Sequence, residues 1–171
     1  NKFCIDNEIT SYFFRLNPYE SFTTSKTKLK VIGECVNIEL KNDIKIIRSN
    51  YSQRVRRYIR KSENLGINIK INDMSYLSDF MRIYLNSMNI KSSRKFYFFS
   101  EEQINKLKVA LGKKFTFFTS HIDDEIISWS ICLHDSKNSY YFLGARNHDF
   151  TEINANYYLF DNMIEHYKNL G

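Results

Sequence analysis

Two apolar runs separated by a pair of aspartates constrain the fold of this chain most. The runs cover residues 115–122 and 125–134, and Asp123-Asp124 lies between them. A short polar link between two such runs indicates a β-hairpin. A second polar turn, Asp135 to Asn138, leads to a further strand at 139–144. This segment therefore predicts three consecutive antiparallel strands.

Residues at helical spacing precede these strands. Ser52 and Gly66 are suited to cap the two ends of one helix, and the alternating residues 67–71 predict a strand after it. Asp73 or Ser75 opens the next helix. The predicted buried face of that helix holds Leu77, Phe80, Met81, Tyr84 and Met88.

Two more helices are predicted, one before and one after the strands. Ser100 and Gln103 have the spacing of a capping box, and the helix that they begin turns Ile104, Leu107 and Leu111 inward. The last helix covers 153–169, with Ile153, Tyr157, Phe160, Ile164 and Tyr167 expected to face the core. The order helix, strand, helix, helix, three strands, helix predicts an α+β fold, with a mostly antiparallel central sheet flanked by helices.

The first 50 residues are predicted to contribute to or precede a domain that covers 51–171. Within them we expect a short helix or strand at 8–16, a loop at 19–30, a strand at 31–40, and a short helix from Asp43 to about Ser49. The chain begins without Met and stops where a helix would pass into a strand. We therefore expect the domain to be truncated at both ends.

The composition excludes several classes of protein. The chain has 171 residues, 43% of them hydrophobic, which suits one domain with a sizeable core. No apolar run reaches the roughly 18 residues of a membrane span, and a cytoplasmic location is predicted. Cys4, Cys35 and Cys132 are odd in number and form no CxxC pair, so the sequence predicts neither a disulfide framework nor a metal site.

The chain is basic, with a formal net charge of +6. Such a charge suits a partner that carries phosphates, which include nucleic acid, a nucleotide sugar or an anionic lipid head group. It is equally compatible with a generally basic protein that binds none of them. Charge alone therefore leaves the partner open.

Several segments, taken in order, resemble the Fem-type members of the GNAT acyltransferase superfamily. They are ITSYFFRLNPYES at 9–21, RVRRYIRKSENLG at 54–66, FMRIYLNSMNIKSSRKFYFF at 80–99, the hairpin and strand at 118–145, and the helix start with Asn154, Asn156 and Leu159. The resemblance implies a GNAT fold, which is often duplicated in tandem, so a second GNAT-like domain is a possible partner. It also implies transfer of an acyl or aminoacyl group to an amine.

The resemblance leaves two classes of acyl donor open, aminoacyl-tRNA and acyl-CoA. Bridge-forming members use aminoacyl-tRNA with a peptidoglycan precursor as acceptor, whereas relatives in polysaccharide gene clusters are expected to acylate amino sugars. Acetyl-CoA users carry an [RQ]xxGx[GA] loop that binds pyrophosphate at a helix N terminus. Val109-Ala110-Leu111-Gly112 does not match that loop, which Fem-type members also lack. We expect no tightly bound cofactor, with acyl-CoA or aminoacyl-tRNA as donor.

The resemblance also implies where the site lies. The candidate catalytic residues are Tyr84, Tyr97 and Asn154. The candidates for binding substrate are Arg94, Trp129, Ser130, Tyr141, Gly144 and Asn156. For each of them a structural interpretation stays open: a core aromatic, a solvated turn, a buried strand residue or a helix cap.

A basic row on the helix after Ser52 supports a different function. Its members Arg56, Arg57, Arg60 and Lys61 are candidates for contacts with phosphate or RNA, although a charge run on a helix is usually a solvated face. The leading hypothesis is an acyltransferase that acts on an amine of a cell-wall or surface-polysaccharide precursor. The alternative is a non-catalytic GNAT-like scaffold that binds RNA through this helix.

Overall fold

The computed structural model describes residues 2–9 and 33–171, which fall into two compact units, Asn1–Ile38 and Glu39–Gly171. In the first unit, helix α1 covers Lys2–Asp6. Most of the segment 8–16 and all of the predicted loop 19–30 lie outside the described residues.

The strand predicted for 31–40 is wrong over its described part. Residues 33–39 have no regular secondary structure, and Val36 is 97% exposed. An alternating pattern forms a strand only where a neighbouring strand completes the hydrogen bonds. No strand within 2–9 and 33–171 pairs with this segment.

The second unit follows the predicted order of elements. Its helices are α2 (Ile44–Ser49), α3 (Gln53–Asn64), α4 (Leu77–Ile90), α5 (Glu101–Leu111) and α6 (Asn156–Leu170). Its strands are β1 (Asn68–Ile71), β2 (Phe115–Ile122), β3 (Glu125–His134) and β4 (Ser139–Arg146). The α+β fold class is confirmed. Among the described helices, none is both long and apolar enough to cross a bilayer.

The helix starts predicted from single residues are confirmed. The side chains of Asp43, Ser52 and Ser100 each accept a hydrogen bond from a backbone N–H at the start of α2, α3 and α5. Ser100 and Gln103 form the complete capping box. Gly66 follows the end of α3 with φ +66°, a left-handed conformation that glycine adopts without strain.

The four strands form one antiparallel sheet in the order β1-β2-β3-β4. The strands β2 and β3 therefore have a neighbour on both sides, whereas β4 has one neighbour among the described strands. Both interior strands are buried along most of their length. The described sheet thus has a closed middle and two edge strands, β1 and β4.

The two faces of the sheet are covered by different helices. On one face, Phe80 of α4 makes edge-on ring contacts with Phe117 and Trp129, at centroid distances of 5.5 and 5.7 Å. On the other face, Phe118 and Cys132 pack in a cluster with residues of α6. Alternation along β2 and β3 sends neighbouring residues to opposite faces, which explains why both strands are apolar throughout.

The inward face of α6 includes Tyr167, as predicted, but otherwise differs from the predicted one. The helix begins at Asn156, and its buried residues are Leu159, Asp161, Met163 and Tyr167. Phe160, predicted to face inward, is 38% exposed. A 3₁₀ turn, His148–Ile153, precedes the helix and ends at Asn154 in a left-handed conformation. The helical register therefore starts later than the apolar spacing suggested.

Asp161 is a buried charge whose partners lie on another helix. The Arg48 guanidinium donates to both of its carboxylate oxygens, at 3.0 and 2.7 Å, and also to Glu165 at 2.7 Å. The hydroxyl of Tyr51 donates to Asp161 as well, at 3.0 Å. A buried carboxylate is tolerated because these donors satisfy its oxygens. The group holds α2 against α6.

Candidate active site

The outer edge of β4 presents main-chain groups that the sheet does not use. Gly144 lies opposite Ser130 in β3. Three residues later, the N–H of Asn147 donates to the carbonyl oxygen of Ile127 at 2.9 Å. Because bonded and non-bonded pairs alternate along antiparallel strands, Gly144 belongs to a non-bonded pair. Its N–H and C=O therefore point away from β3, toward the edge.

A bulge in β4 brings a tyrosine beside this glycine. The pairing slips by one residue next to Ile131, so that Tyr141 lies opposite Cys132 and Phe142 is the extra residue. Tyr141 and Gly144 consequently face the same side of the sheet. Without the bulge, strand alternation would turn them to opposite sides.

Tyr141 lies over Gly144 so closely that no side chain fits there. A Cβ added to Gly144 would lie 2.1 Å from the Tyr141 hydroxyl oxygen and 3.0 Å from the carbonyl oxygen of Trp129. The ring of Tyr141 also contacts Phe160 of α6, at a centroid distance of 5.1 Å. Gly144 is thus required for the close approach of the hydroxyl to the β4 backbone.

A cavity of about 250 Å³ lies against β4 at this point. Its walls come from the second half of α4, the turn that follows α4, and β4. The lining residues are Tyr84, Met88, Ser93, Tyr97, Tyr141, Phe142, Leu143 and Gly144. Four predicted site residues therefore meet here: Tyr84, Tyr97, Tyr141 and Gly144.

The other four lining residues were not among the predicted site residues. Phe142 and Leu143 could have been inferred from their place between Tyr141 and Gly144 on one strand. Met88 was predicted as a core residue on the same helix face as Tyr84, and it is only half-buried. For Ser93, in a polar turn, we find no sequence signal that would have placed it in a cavity.

Tyr84 occupies the cavity wall with its hydroxyl already engaged. The residue is 1% exposed, and its hydroxyl donates to the backbone carbonyl oxygen of Tyr97. Burial raises the pKa of Tyr84, and the nearby Tyr97 adds to this. The hydroxyl thus ties α4 to the turn that forms another wall of the cavity.

That turn carries the other candidates of the region. A 3₁₀ turn covers Lys95–Tyr97, and Arg94 precedes it with an exposed side chain. Tyr97 is partly exposed and lines the cavity. Lys91, Arg94 and Lys95 give the turn three positive charges next to the cavity wall.

Trp129 and Ser130 lie inside the sheet. Trp129 is 1% exposed, and its indole N–H has no hydrogen-bond partner in the described part of the chain. The hydroxyl of Ser130 donates to the carbonyl oxygen of Leu143 at 3.2 Å. Main-chain groups of β3 bond to β2 on one side and to β4 on the other. A role for these two residues in binding substrate stays a prediction.

Asn154 and Asn156 lie at the start of α6. Asn154 has φ +54° and ψ +40°, and its carbonyl oxygen accepts the N–H of Tyr157 at 3.2 Å. Asn156 is the first residue of the helix. Neither residue lines the cavity, and their proposed contacts with substrate stay predictions.

The basic row on α3 is largely engaged within the protein. Arg56 donates to the carbonyl oxygen of Ser49 at 3.2 Å, and Lys61 donates to that of Glu152 at 3.1 Å. The guanidinium of Arg57 lies 5.2 Å from the ring of Tyr58. The side chain of Arg60 is exposed. Binding of phosphate or RNA through these residues stays a prediction.

The chemistry of the cavity is that of hydroxyl and main-chain donors among apolar walls. Burial raises the pKa of the Tyr141 hydroxyl, which therefore keeps its proton at neutral pH. No cluster of three His, Cys, Asp or Glu side chains that could hold a metal ion occurs within residues 2–9 and 33–171. Such a cavity can bind and polarise a carbonyl group.

Residues 49–171 match the sequence model of the Acetyltransferase (GNAT) domain family. The chain belongs to this family. Its matched region, which includes the whole cavity, is an acyltransferase domain. No curated protein matched the chain in sequence.

Solved structures share the fold of this GNAT domain. The crystal structure of FemX superposes with a TM-score of 0.69 at 10% identity, and the match covers 77% of this chain. The chain spans 49% of the length of that FemX chain.

Two other structures match less well. One is an aminoglycoside acetyltransferase from an uncultured soil metagenomic sample, in complex with sisomicin, with a TM-score of 0.46, 15% identity, and coverage of 64% of this chain and 74% of that one. The other is a possible acetyltransferase from Clostridium difficile 630, with a TM-score of 0.43, 11% identity, and coverage of 61% and 70%.

Proposed function

We propose that this GNAT domain is of the Fem type and transfers an acyl or aminoacyl group to an amine of a cell-wall or surface-polysaccharide precursor. The observation that carries the proposal is the outward N–H of Gly144 at the open edge of β4, against a cavity walled by tyrosines. The order of segments that resemble Fem-type proteins supports the subgroup.

The reaction needs few specialised groups. A thioester or an aminoacyl ester is already activated, so attack by an amine requires no covalent enzyme intermediate. The carbonyl oxygen becomes negatively charged in the transition state, and a preorganised N–H donor stabilises that charge. The N–H of Gly144 is fixed by the pairing of its neighbours in β4, so it needs no reorganisation to donate.

The turn after α4 is suited to hold an anionic part of a substrate. Lys91, Arg94 and Lys95 lie in the turn that contributes Ser93 and Tyr97 to the cavity. A guanidinium can bind a phosphate or carboxylate through two parallel hydrogen bonds. Arg94 is therefore the proposed anchor for phosphate on the donor or the precursor.

The helix termini argue against binding acetyl-CoA in the usual way. Val109-Ala110-Leu111-Gly112 lies at the C-terminal end of α5, where the helix dipole disfavours an anion. The N terminus of α6 follows β4 along the chain, and the turn before it carries Asp149 and Glu152. Two carboxylates repel a pyrophosphate, which favours a donor held elsewhere, such as aminoacyl-tRNA.

Transfer assays with both donor classes test the proposal. The purified protein is incubated with acetyl-CoA or with a pool of aminoacylated tRNA, and with a peptidoglycan precursor or a nucleotide-linked amino sugar as acceptor. We expect mass spectrometry to show one added acyl or aminoacyl group on the acceptor amine. Arg94→Ala should weaken transfer, whereas Lys106→Ala, an exposed change on α5, should not. The absence of product with both donors and both acceptors would refute the proposal.

A further inference from the structure

The hydroxyl of Tyr141 lines the cavity in a fixed position and has no hydrogen-bond partner among the described residues. The hydroxyl of Tyr84 already donates to the Tyr97 carbonyl oxygen. Tyr141 is held from two sides, because its ring contacts Phe160 and its hydroxyl lies against the Gly144 backbone. The residue as a whole is 52% exposed, so a ligand can reach it.

The Tyr141 hydroxyl lies next to Gly144, whose N–H points outward from the sheet. A carbonyl oxygen that accepts the Gly144 N–H lies at the β4 edge, and the Tyr141 hydroxyl lies over the same residue, on the side where a Cβ would project. Two donors that converge on one oxygen form an oxyanion site, whereas a single donor holds the oxygen less firmly. The bulge at Phe142 places both residues on one face of the sheet, since regular alternation would separate them.

We propose that Tyr141 is a catalytic residue whose hydroxyl, together with the N–H of Gly144, donates to the acyl oxygen as the tetrahedral intermediate forms. The inference rests on the proposed acyl transfer and goes beyond it by assigning the second donor.

The proton and electron balance of the step is simple. The amine lone pair forms the new C–N bond, and the carbonyl π electrons move onto the oxygen, which accepts hydrogen bonds from Tyr141 and Gly144. When the intermediate collapses, the C–S or C–O bond to the donor breaks and the leaving group takes the electron pair. The amine loses a proton and the leaving group gains one, while Tyr141 keeps its own proton throughout.

The raised pKa of Tyr141 is compatible with this role. A phenol that donates to a developing oxyanion must be protonated at the working pH. Burial of the hydroxyl against the β4 backbone favours the neutral form. The ring of Phe160 packs on the ring of Tyr141 and shields one side of it from water.

The test is steady-state transfer by Tyr141→Phe, with whichever donor and acceptor give product in the wild-type protein. Phenylalanine keeps the ring on Phe160 and removes only the hydroxyl. We expect kcat to fall by about 10²–10³-fold, the usual cost of losing one oxyanion donor, while KM changes little. Tyr140→Phe is the matched control, because it removes a hydroxyl from the neighbouring residue, and it should keep normal kcat.

Two further outcomes distinguish a failure of the catalytic role of Tyr141 from a failure of the proposed acyl transfer. An unchanged kcat in Tyr141→Phe, or a change in KM alone, would overturn the catalytic role and leave acyl transfer itself standing. The absence of transfer by the wild-type protein would end both proposals. Thermal melting of Tyr141→Phe should match the wild type within about 2 °C, since a small change in unfolding free energy shifts the midpoint by only a few degrees.

Discussion

The strands β3 and β4 are neighbours in one sheet and yet differ in almost every property that matters for function. β3 has hydrogen-bonded partners on both sides, and seven consecutive residues of it, 126–132, are buried. β4 has one partner among the described strands, carries a bulge, and leaves Tyr141 half-exposed. Two neighbouring strands thus combine a closed, buried part of the sheet with an accessible edge.

The difference follows from how many main-chain hydrogen bonds each strand makes within the sheet. The main-chain groups of β3 bond to β2 on one side and to β4 on the other, and most of its side chains are buried. In β4 half of the main-chain groups face outward, and a carbonyl ligand can complete their hydrogen bonds. We therefore expect substitutions in β3 to affect the free energy of unfolding, and substitutions in β4 to affect transfer.

Trp129→Ala should have the largest effect on stability. Trp129 is fully buried against Phe80, and removing it leaves a cavity that the sheet cannot close. We expect urea denaturation to show a loss of about 3–5 kcal/mol. Tyr141→Ala is the control on β4 and should cost about 1 kcal/mol or less, since half of that side chain is already exposed. Equal losses would remove the distinction between the two strands.

Amide hydrogen exchange compares the same two strands without a substitution. The N–H of Ser130 lies in a closed ladder, whereas the N–H of Gly144 faces the edge. We expect Gly144 to exchange at least about 100-fold faster than Ser130, because exchange at a closed position requires the sheet to open. NMR-detected exchange measures both amides in one sample, and similar protection at the two positions would show that the edge is covered.

The closed part of the sheet should also respond to pH. His121 on β2 is buried, and this burial lowers its pKa, as does Lys70; Asp73 and Asp124 act in the opposite direction. The unfolded chain then binds the proton more readily, so the free energy of unfolding should fall as the pH drops below about 6.5. Urea denaturation between pH 7.5 and 5 measures this slope.

A glutamine at position 121 sharpens the same measurement. His121→Gln removes the titrating group and should flatten the slope below about pH 6.5. Tyr141→Phe, on β4, should leave the slope unchanged. A slope that persists in His121→Gln would assign the pH dependence to other groups, of which the half-buried His166 is the first to examine.

The smallest effects are expected on α3, which competes with β4 as the functional surface. Arg60→Ala removes an exposed charge and should change the free energy of unfolding by under about 0.5 kcal/mol. If α3 binds RNA, that substitution should weaken binding and reduce its salt dependence. Titration of labelled RNA at low and moderate salt measures whether α3 binds RNA. A transfer assay measures the function of β4, and we expect no loss of acyl transfer in Arg60→Ala.

Local signals in the sequence predicted the fold well. The caps at Ser52 and Ser100 depend on residues within one turn of helix, and the β2–β3 hairpin depends on the link at Asp123-Asp124. The strand predicted at 31–40 was wrong because alternation does not reveal whether a partner strand exists. The buried face of α6 was predicted correctly at Tyr167, but packing on the sheet selected Leu159 and Met163 rather than Phe160, which the apolar spacing alone did not reveal.

The site depended on contacts that no sequence pattern shows. The resemblance led to Tyr84, Tyr97, Tyr141 and Gly144, which the cavity brings together. The hydrogen bond from the Tyr84 hydroxyl to the Tyr97 carbonyl oxygen joins α4 to the turn after it. The packing of Tyr141 over Gly144 depends on a bulge in β4. A bulge changes which residues share a face, and single-sequence periodicity does not detect it.

The most direct test follows the Gly144 amide itself. The chain contains 5 glycines, so ¹⁵N-glycine labelling gives a simple NMR spectrum in which Gly144→Ala identifies the Gly144 signal. The probes are a non-hydrolysable thioether analogue of acetyl-CoA and an amide-linked aminoacyl-adenosine. We predict that one of them shifts the Gly144 amide strongly and leaves Gly66 and Gly112 in place. A spectrum in which Gly144 responds to neither probe would contradict the assignment of acyl transfer to the β4 edge.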